Sequence, residues 1–339
     1  MMAERLSKDE LAERLTALAP RMAPSAERIE NLVRLTGGAS MATWAFDAVG
    51  GDGSATPLIL RRRDRVVENS AVNKPPLRRE AEAIVMAVAQ GVPAPIVTYV
   101  CDEAVDGLDE AYVMHRVAGE ALGKRIASDP AFAPARGKLA WQCGAALARI
   151  HALEPLSDLD QTDAATTLAK YETNWRATGA VRPTIEAAFR WLEKRLPKEP
   201  VAPRFLHGDF RNGNIMVDPD EGLVAVLDWE LVHVGDPAED LGWLCTSSWK
   251  FGRPDRYVGG FGDLQDLLAG YEEAGGEPIS AARVDFWSML GSLKWGVMTM
   301  GMYASFASDP TAGPERGVIG RRLSETEADI VAIIERNAA

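Results

Sequence analysis

The sequence predicts an α+β fold in two lobes, an N-terminal lobe built on an antiparallel sheet and a mainly helical C-terminal lobe. Three observations predict it. Before residue 117, apolar and polar residues alternate in several short runs, the two-residue period of half-buried strands. After Gly119 the apolar spacing lengthens to that of helices. A single short hairpin, read between Asn214 and Asp228, interrupts the helical part. Residues 1–117 are therefore taken as one lobe and 118–339 as the other.

In chain order, Ser7 and Glu10 form a capping box, and Leu11, Leu15 and Leu18 carry the helix it opens. A second short helix is expected over Ala26–Arg34, after Pro24. Leu32–Leu35 and Thr43–Val49 read as strands around the Gly-containing turn Thr36–Ser40, and Pro57–Arg61 as a further strand. Leu77–Gln90 has helical spacing and stops at the GVPAP run, residues 91–95. Ile96–Cys101 and Ala111–Val117 are two more strands, joined by the acidic turn DEAVDGLDE. Helices are expected over Pro134–Leu153, Ala164–Thr178, Thr184–Arg195, Asp263–Ala274, Val284–Phe306 and Ser324–Asn337.

Composition excludes several function classes. The 339 residues are 47% hydrophobic and 25% charged, an ordinary globular mix, with a net charge of −12. A nucleic acid or an anionic membrane as main partner would require a concentrated basic face, which this balance argues against. Three dispersed cysteines, Cys101, Cys143 and Cys245, make neither a disulfide framework nor a structural zinc site. The start is charged and lacks an apolar signal region, so a cytoplasmic location is expected. The nearly apolar stretch Phe286–Phe306 is interrupted by Lys294 and reads as a buried helix rather than a membrane span. Oligomeric state leaves no legible trace.

The chemistry concentrates in HGDFRNGN, His207–Asn214, and in the Asp228 of VLDWE that follows the hairpin. A tight turn returns a strand beside its partner, which should bring Asp209, Asn214 and Asp228 together. Oxygen ligands suit a hard cation, and Mg²⁺ takes one or two carboxylates and completes its octahedron with phosphates and water. Asp209 is then placed to accept a proton from an attacking hydroxyl. This is a minimal kit for phosphoryl transfer.

These residues resemble the aminoglycoside phosphotransferase/choline kinase family, the small-molecule branch of the protein-kinase-like fold, and most closely the phosphotransferase-like domains associated with acyl-CoA dehydrogenases. The Asp209-to-Asn214 spacing matches the kinase catalytic loop. His207-Gly208-Asp209 matches the branch's HGD, Asp228-Trp229-Glu230 stands where kinases have DFG, and GDPAEDLGW matches the DPxxD element. The resemblance implies a bilobal kinase-like fold with Asp209 as base, Asn214 and Asp228 as Mg²⁺ ligands, and Asp240 bracing the catalytic loop. It implies backbone groups at Gly37, Gly38 and Ser40 covering the phosphates, and backbone atoms at Met114 to Val117 taking the adenine edge. Glu80 matches the acid of the helix that kinases call αC. The kinase lysine position reads LILRRR, with Arg61 the best match and Arg62 or Arg63 as register alternatives. The cofactors implied are Mg²⁺ and ATP, with GTP as the other triphosphate the family admits.

The function expected is thus transfer of the ATP γ-phosphate to a hydroxyl of a small molecule: a hydroxyacyl metabolite, an aminoglycoside or a choline-like alcohol. A kinase-like nucleotide-binding regulatory module with weak catalysis is the alternative, supported by the arginine at position 61. A two-metal phosphoesterase on His207, Asp209 and Asp228 is disfavoured, because the chain holds four histidines and none is paired at ligand spacing. His207 reads as a loop-orienting group, His115, His151 and His233 as structural, and most tryptophans as core. Trp243 and Trp295 are candidates for a substrate wall. Lys294 either snorkels or reaches an anionic substrate group.

Overall fold

In the computed structural model, residues 6–35, 41–63, 76–198, 201–309 and 313–337 are described. The chain divides into two compact units, one of residues 1–118 with 225–230, the other of residues 119–224 with 231–339.

The first unit is a five-stranded antiparallel sheet with helices. Its elements are α1 (Lys8–Met22), β1 (Ala26–Arg34), β2 (Ala42–Gly50), β3 (Ala55–Arg62), α2 (Leu77–Ala89), β4 (Val97–Val100), the one-turn α3 (Glu103–Asp106) and β5 (Ala111–His115), with strand order β1-β2-β3-β5-β4. Ser7 and Glu10 close a reciprocal capping box at the start of α1. Leu11, Leu15, Leu18 and Met22 of that helix join Phe46, Leu58, Leu60 and Val113 of the sheet in one core. Burying each such side chain is worth roughly 1.5–3 kcal/mol, which explains why an isolated amphipathic helix settles here.

The helix expected over Ala26–Arg34 is instead strand β1. Its register on β2 shifts between Ala26 and Arg28 and again between Glu30 and Val33. Each extra residue flips the alternation, so Ala26 and Leu32 are buried, Ile29 is half-buried and the residues between them are exposed. Two bulges thus imprint a period of three that mimics a helix. Asn31 sits in the left-handed region at φ 55° and donates to Asp47 Oδ2 at 2.7 Å. The acidic turn after β4 contains α3, whose Asp106 accepts from Tyr99 Oη and Arg21.

The second unit is helical with two small sheets. It contains α4 (Gly123–Ser128), α5 (Ala133–His151), α6 (Ala164–Ala177), α7 (Pro183–Arg195), β6 (Arg204–Leu206), β7 (Ile215–Asp218), β8 (Gly222–Val226, whose last two residues count with the first unit), β9 (His233–Gly235), α8 (Ala238–Leu244), α9 (Leu264–Glu273), α10 (Ala281–Ser308), α11 (Pro314–Gly320) and α12 (Leu323–Arg336). β6 pairs with β9, and β7 with β8 as the expected hairpin. α10 carries the long apolar stretch, its buried residues lying between Val284 and Thr299, while Tyr303 and Phe306 near its end are exposed, so the buried helix expected over Phe286–Phe306 holds only for its first part. Among the described residues no helix is long and apolar enough to cross a membrane. The three cysteines are free and buried, and burial raises each thiol's pKa, which keeps them in the inert protonated form.

Candidate active site

β6 ends at Leu206 and delivers the chain into the loop His207–Asn214. Gly208 has φ 79°, and a Cβ there would collide with the Leu231 carbonyl, so only glycine fits this turn. The loop backbone is held by Asp240 of α8, which is fully buried. Its carboxylate accepts from the His207 N–H at 2.8 Å and the Gly208 N–H at 2.9 Å. His151 Nε2 lies 3.2 Å from the same carboxylate, and His151 Nδ1 is 2.9 Å from Tyr271 Oη. Burial alone would raise the Asp240 pKa, but His151, His207 and the backbone donor outweigh it and hold the carboxyl below its usual value. His207 orients the loop, its Nδ1 accepting from the Asp209 N–H at 3.2 Å.

Asp209 and Asn214 are brought together. Asn214 Nδ2 donates to Asp209 Oδ2 at 2.7 Å and to the Asp209 carbonyl at 3.0 Å. With the amide nitrogen so committed, Asn214 Oδ1 is left as a hard oxygen donor. Asp209 Oδ1 accepts from Trp243 Nε1 at 2.6 Å, and Arg211 Nε donates to both oxygens at 3.1 and 3.3 Å. The Arg211 guanidinium also lies over the Trp249 ring, 4.3 Å from its centroid.

The second cluster of expected residues lies in the sheet unit. Arg61 Nη2 is 3.1 Å from Glu80 Oε1 and 3.0 Å from Asp228 Oδ1. Arg62 reaches the Leu108 carbonyl and Asp109 instead, and Arg63 pairs with Glu110. Of the three arginines, Arg61 is thus the one that meets Glu80. Tyr112 donates to Glu80 Oε1 at 3.0 Å, while the buried Glu80 Oε2 has no hydrogen-bond partner among the described residues. Burial pushes the Glu80 carboxyl up to about 7, against the opposing pull of Arg61. Asp228 has φ 65°, a left-handed conformation that a non-glycine residue holds at a cost of about 1–3 kcal/mol and that clusters at functional positions.

Met114 lies inside β5, paired with Ile59 on one side and Val97 on the other, so its backbone is largely spoken for by the sheet. The His115 and Arg116 N–H groups go to the Ile96 and Pro57 carbonyls. Val117 follows β5 and lies outside its strand pairing. Gly37, Gly38 and Ser40 lie outside the described residues.

A family model described as "Phosphotransferase enzyme family" matches residues 31–276, which include both clusters. The chain belongs to this APH phosphotransferase family. It is 27% identical over 238 residues to the chicken protein named acyl-CoA dehydrogenase family member 11, a match covering 63% of this chain. The matched part is 30% of that relative, so the chain spans under a third of the length of the curated protein it matches. Among solved structures, a Ralstonia eutropha JMP134 protein provisionally assigned as an aminoglycoside phosphotransferase shares 20% identity at a TM-score of 0.70, covering 96% of this chain and 98% of that one. Spectinomycin phosphotransferase, solved with ADP and spectinomycin, shares 11% identity at a TM-score of 0.67, covering 97% and 99%. These likenesses show the kinase-like fold.

The motif of this phosphotransferase did not reveal everything around Asp209. Arg211 was legible only as a loop residue, although its place two positions after Asp209 on a tight loop was an available signal. Trp243, expected as a substrate wall, donates to the carboxylate itself. Lys294 reaches inward: its ammonium is 4.8 Å from the Trp243 ring centroid and 4.0 Å from Glu239 Oε1. Burial would lower the Lys294 pKa, but Glu239, Tyr171 and Asp209 outweigh it, so the group sits above the ordinary lysine value and stays charged.

Proposed function

We propose that this phosphotransferase transfers the γ-phosphoryl group of Mg·ATP to a hydroxyl of a small metabolite, with a hydroxylated acyl compound as the favoured acceptor. The observation that carries the reading is the paired use of Asn214: its amide nitrogen fixes Asp209 while its oxygen is left over. Asn214 Oδ1 and the carboxylate of Asp228 are the two protein oxygens that would hold Mg²⁺, a donor set that fits this hard cation. Bound there, Mg²⁺ would neutralise charge on the phosphate oxygens. Asp209 would orient the acceptor hydroxyl and take its proton as the oxygen attacks phosphorus. Arg61, anchored by Glu80, would direct its fork at phosphate oxygens, and the backbone after β5 at Val117 would meet the adenine.

Charge supports this acceptor class. Two cations, Arg211 and Lys294, stand close to the Asp209 carboxylate or to the indole that binds it. Each is paired with a carboxylate, Arg211 with Asp209 and Lys294 with Glu239, and would offer its charge to an acid or thioester more readily than to a polycationic aminoglycoside or a choline-like amine. Trp249 and Trp295 add apolar surface beside them. The name of the chicken relative points the same way, toward acyl groups.

The test is ADP release with Mg·ATP across three acceptor sets, namely hydroxyacyl thioesters and acids, aminoglycosides, and choline-like alcohols, with phosphorylated product identified by mass. Product in the first set alone, absent in Asp209→Asn, is the expected result. Product only from the cationic sets would overturn the acceptor class. Binding of Mg·ATP with no product from any hydroxyl would make the chain a nucleotide-binding module.

A further inference from the structure

The geometry points to Trp243 as a positioning residue for the catalytic carboxylate, acting on the side chain while Asp240, three residues earlier on the same helix, acts on the backbone. The inference rests on the reading of Asp209 as base.

Residues three apart on a helix share a face, and α8 uses that face as a bracket. Asp240 holds the His207 and Gly208 N–H groups, and Trp243 holds Asp209 Oδ1 at 2.6 Å. Asn214 takes Oδ2 at 2.7 Å, so each oxygen of the base has its own neutral N–H donor. An indole N–H can donate but can neither accept a proton nor carry a charge. It therefore fixes the carboxylate's orientation without competing for the proton that the carboxylate must receive.

The indole is itself immobilised. Its ring meets Trp249 edge-on with centroids 5.2 Å apart, and Trp249 meets Trp295 at 5.0 Å. The Lys294 ammonium covers it at 4.8 Å from the centroid, tethered to Glu239, one turn before Trp243 on α8. Arg211 closes a circuit, lying over Trp249 and donating to Asp209. Two glycines make the arrangement possible. A Cβ at Gly242 would stand 2.7 Å from the Ser288 backbone nitrogen, and one at Gly291 would stand 3.1 Å from Trp243 Cε3. α8 can thus lie close against α10 with the indole seated over its surface. A base displaced by about 1 Å can cost about a hundredfold in rate, which is the effect such a bracket would prevent.

Trp243→Phe keeps an aromatic ring near Trp249 and Lys294 and removes the N–H donor together with one ring of the indole. The expected result is a fall in kcat of about 10- to 100-fold, with KM for Mg·ATP within about twofold of wild type. Turnover is read with the acceptor found above or, without one, as slow hydrolysis of Mg·ATP. A kcat within about twofold of wild type overturns the role, and so does an equal loss of Mg·ATP affinity, which marks a structural effect. The second arm does not depend on activity. In ¹⁵N-tryptophan-labelled protein, the Trp243 indole N–H signal, one of nine tryptophans, should lie downfield and move upfield in Asp209→Asn. A signal indifferent to that substitution overturns the proposal even if Trp243→Phe is too unstable to assay. Full turnover in Asp209→Asn would instead overturn the base assignment, while the indole signal still reports the hydrogen bond.

Discussion

The two clusters of candidate functional side chains are held by different balances of forces. Around Glu80, the sheet unit gathers charges: Arg61 bridges Glu80 and Asp228, and each partner's position depends on another's ionisation. Around Asp209, the helical unit adds to one ion pair, with Arg211, a set of neutral N–H donors from Asn214, from Trp243 and, through Asp240, from the backbone. Charge pairs hold a geometry that responds to pH and to an arriving ion, which suits the proposed meeting of these groups with a metal-bound triphosphate. Neutral N–H donors on packed groups do not themselves titrate, which suits Asp209 in its proposed role as a base whose value lies in its placement.

Substitutions should separate the two regimes. The largest effect is expected for Asp209→Asn, a loss of about 10²–10⁴ in kcat with Mg·ATP affinity unchanged, checked by turnover and nucleotide titration. Next comes Gly208→Ala, which places a side chain at φ 79° against the Leu231 carbonyl. It should destabilise the protein by about 3 kcal/mol, read from the denaturant midpoint.

Glu80→Gln tests the charged cluster through pH. The folded carboxyl holds its proton up to about 7 and the unfolded one only to about its model value of 4.5. Protonated Glu80 therefore contributes stability that is whole below pH 4.5 and lost as pH rises through about 7. Glutamine cannot ionise, so the variant should gain on wild type by roughly 2–3 kcal/mol between pH 5 and pH 8, measured as the change in the stability difference. A difference that stays flat with pH would place Glu80 in the fixed regime. Asp228→Ala should weaken Mg·ATP by about 10- to 30-fold while ADP without metal binds nearly as before. Arg61→Lys is expected to be mildest, about two- to fivefold in KM for Mg·ATP, because one guanidinium nitrogen, Nη2, meets both carboxylates and a single ammonium keeps the charge there.

Much of this was legible in the sequence. The spacing within HGDFRNGN and the hairpin leading to DWE singled out Asp209, Asn214 and Asp228 as candidates, and Glu80 lies on the expected helix, Leu77–Ala89. Local period failed at β1, where two bulges gave burial at every third residue. Pattern could not choose among Arg61, Arg62 and Arg63, which became distinct once β3 had a register and Arg61 met Glu80. Nor could it see Trp243 against Asp209, since 34 residues and three secondary-structure elements separate the two.

The sequence alone determined which chemical groups this phosphotransferase has and in what order, because short-range spacing on loops, strands and helix turns is set by backbone geometry and side-chain period. The tertiary structure decided what holds those groups. Burial raised Glu80, close approach of α8 to α10 seated the indole, and a buried aspartate took up the loop's N–H groups. Each of these is a property of surroundings contributed by distant segments, and no local spacing encodes it.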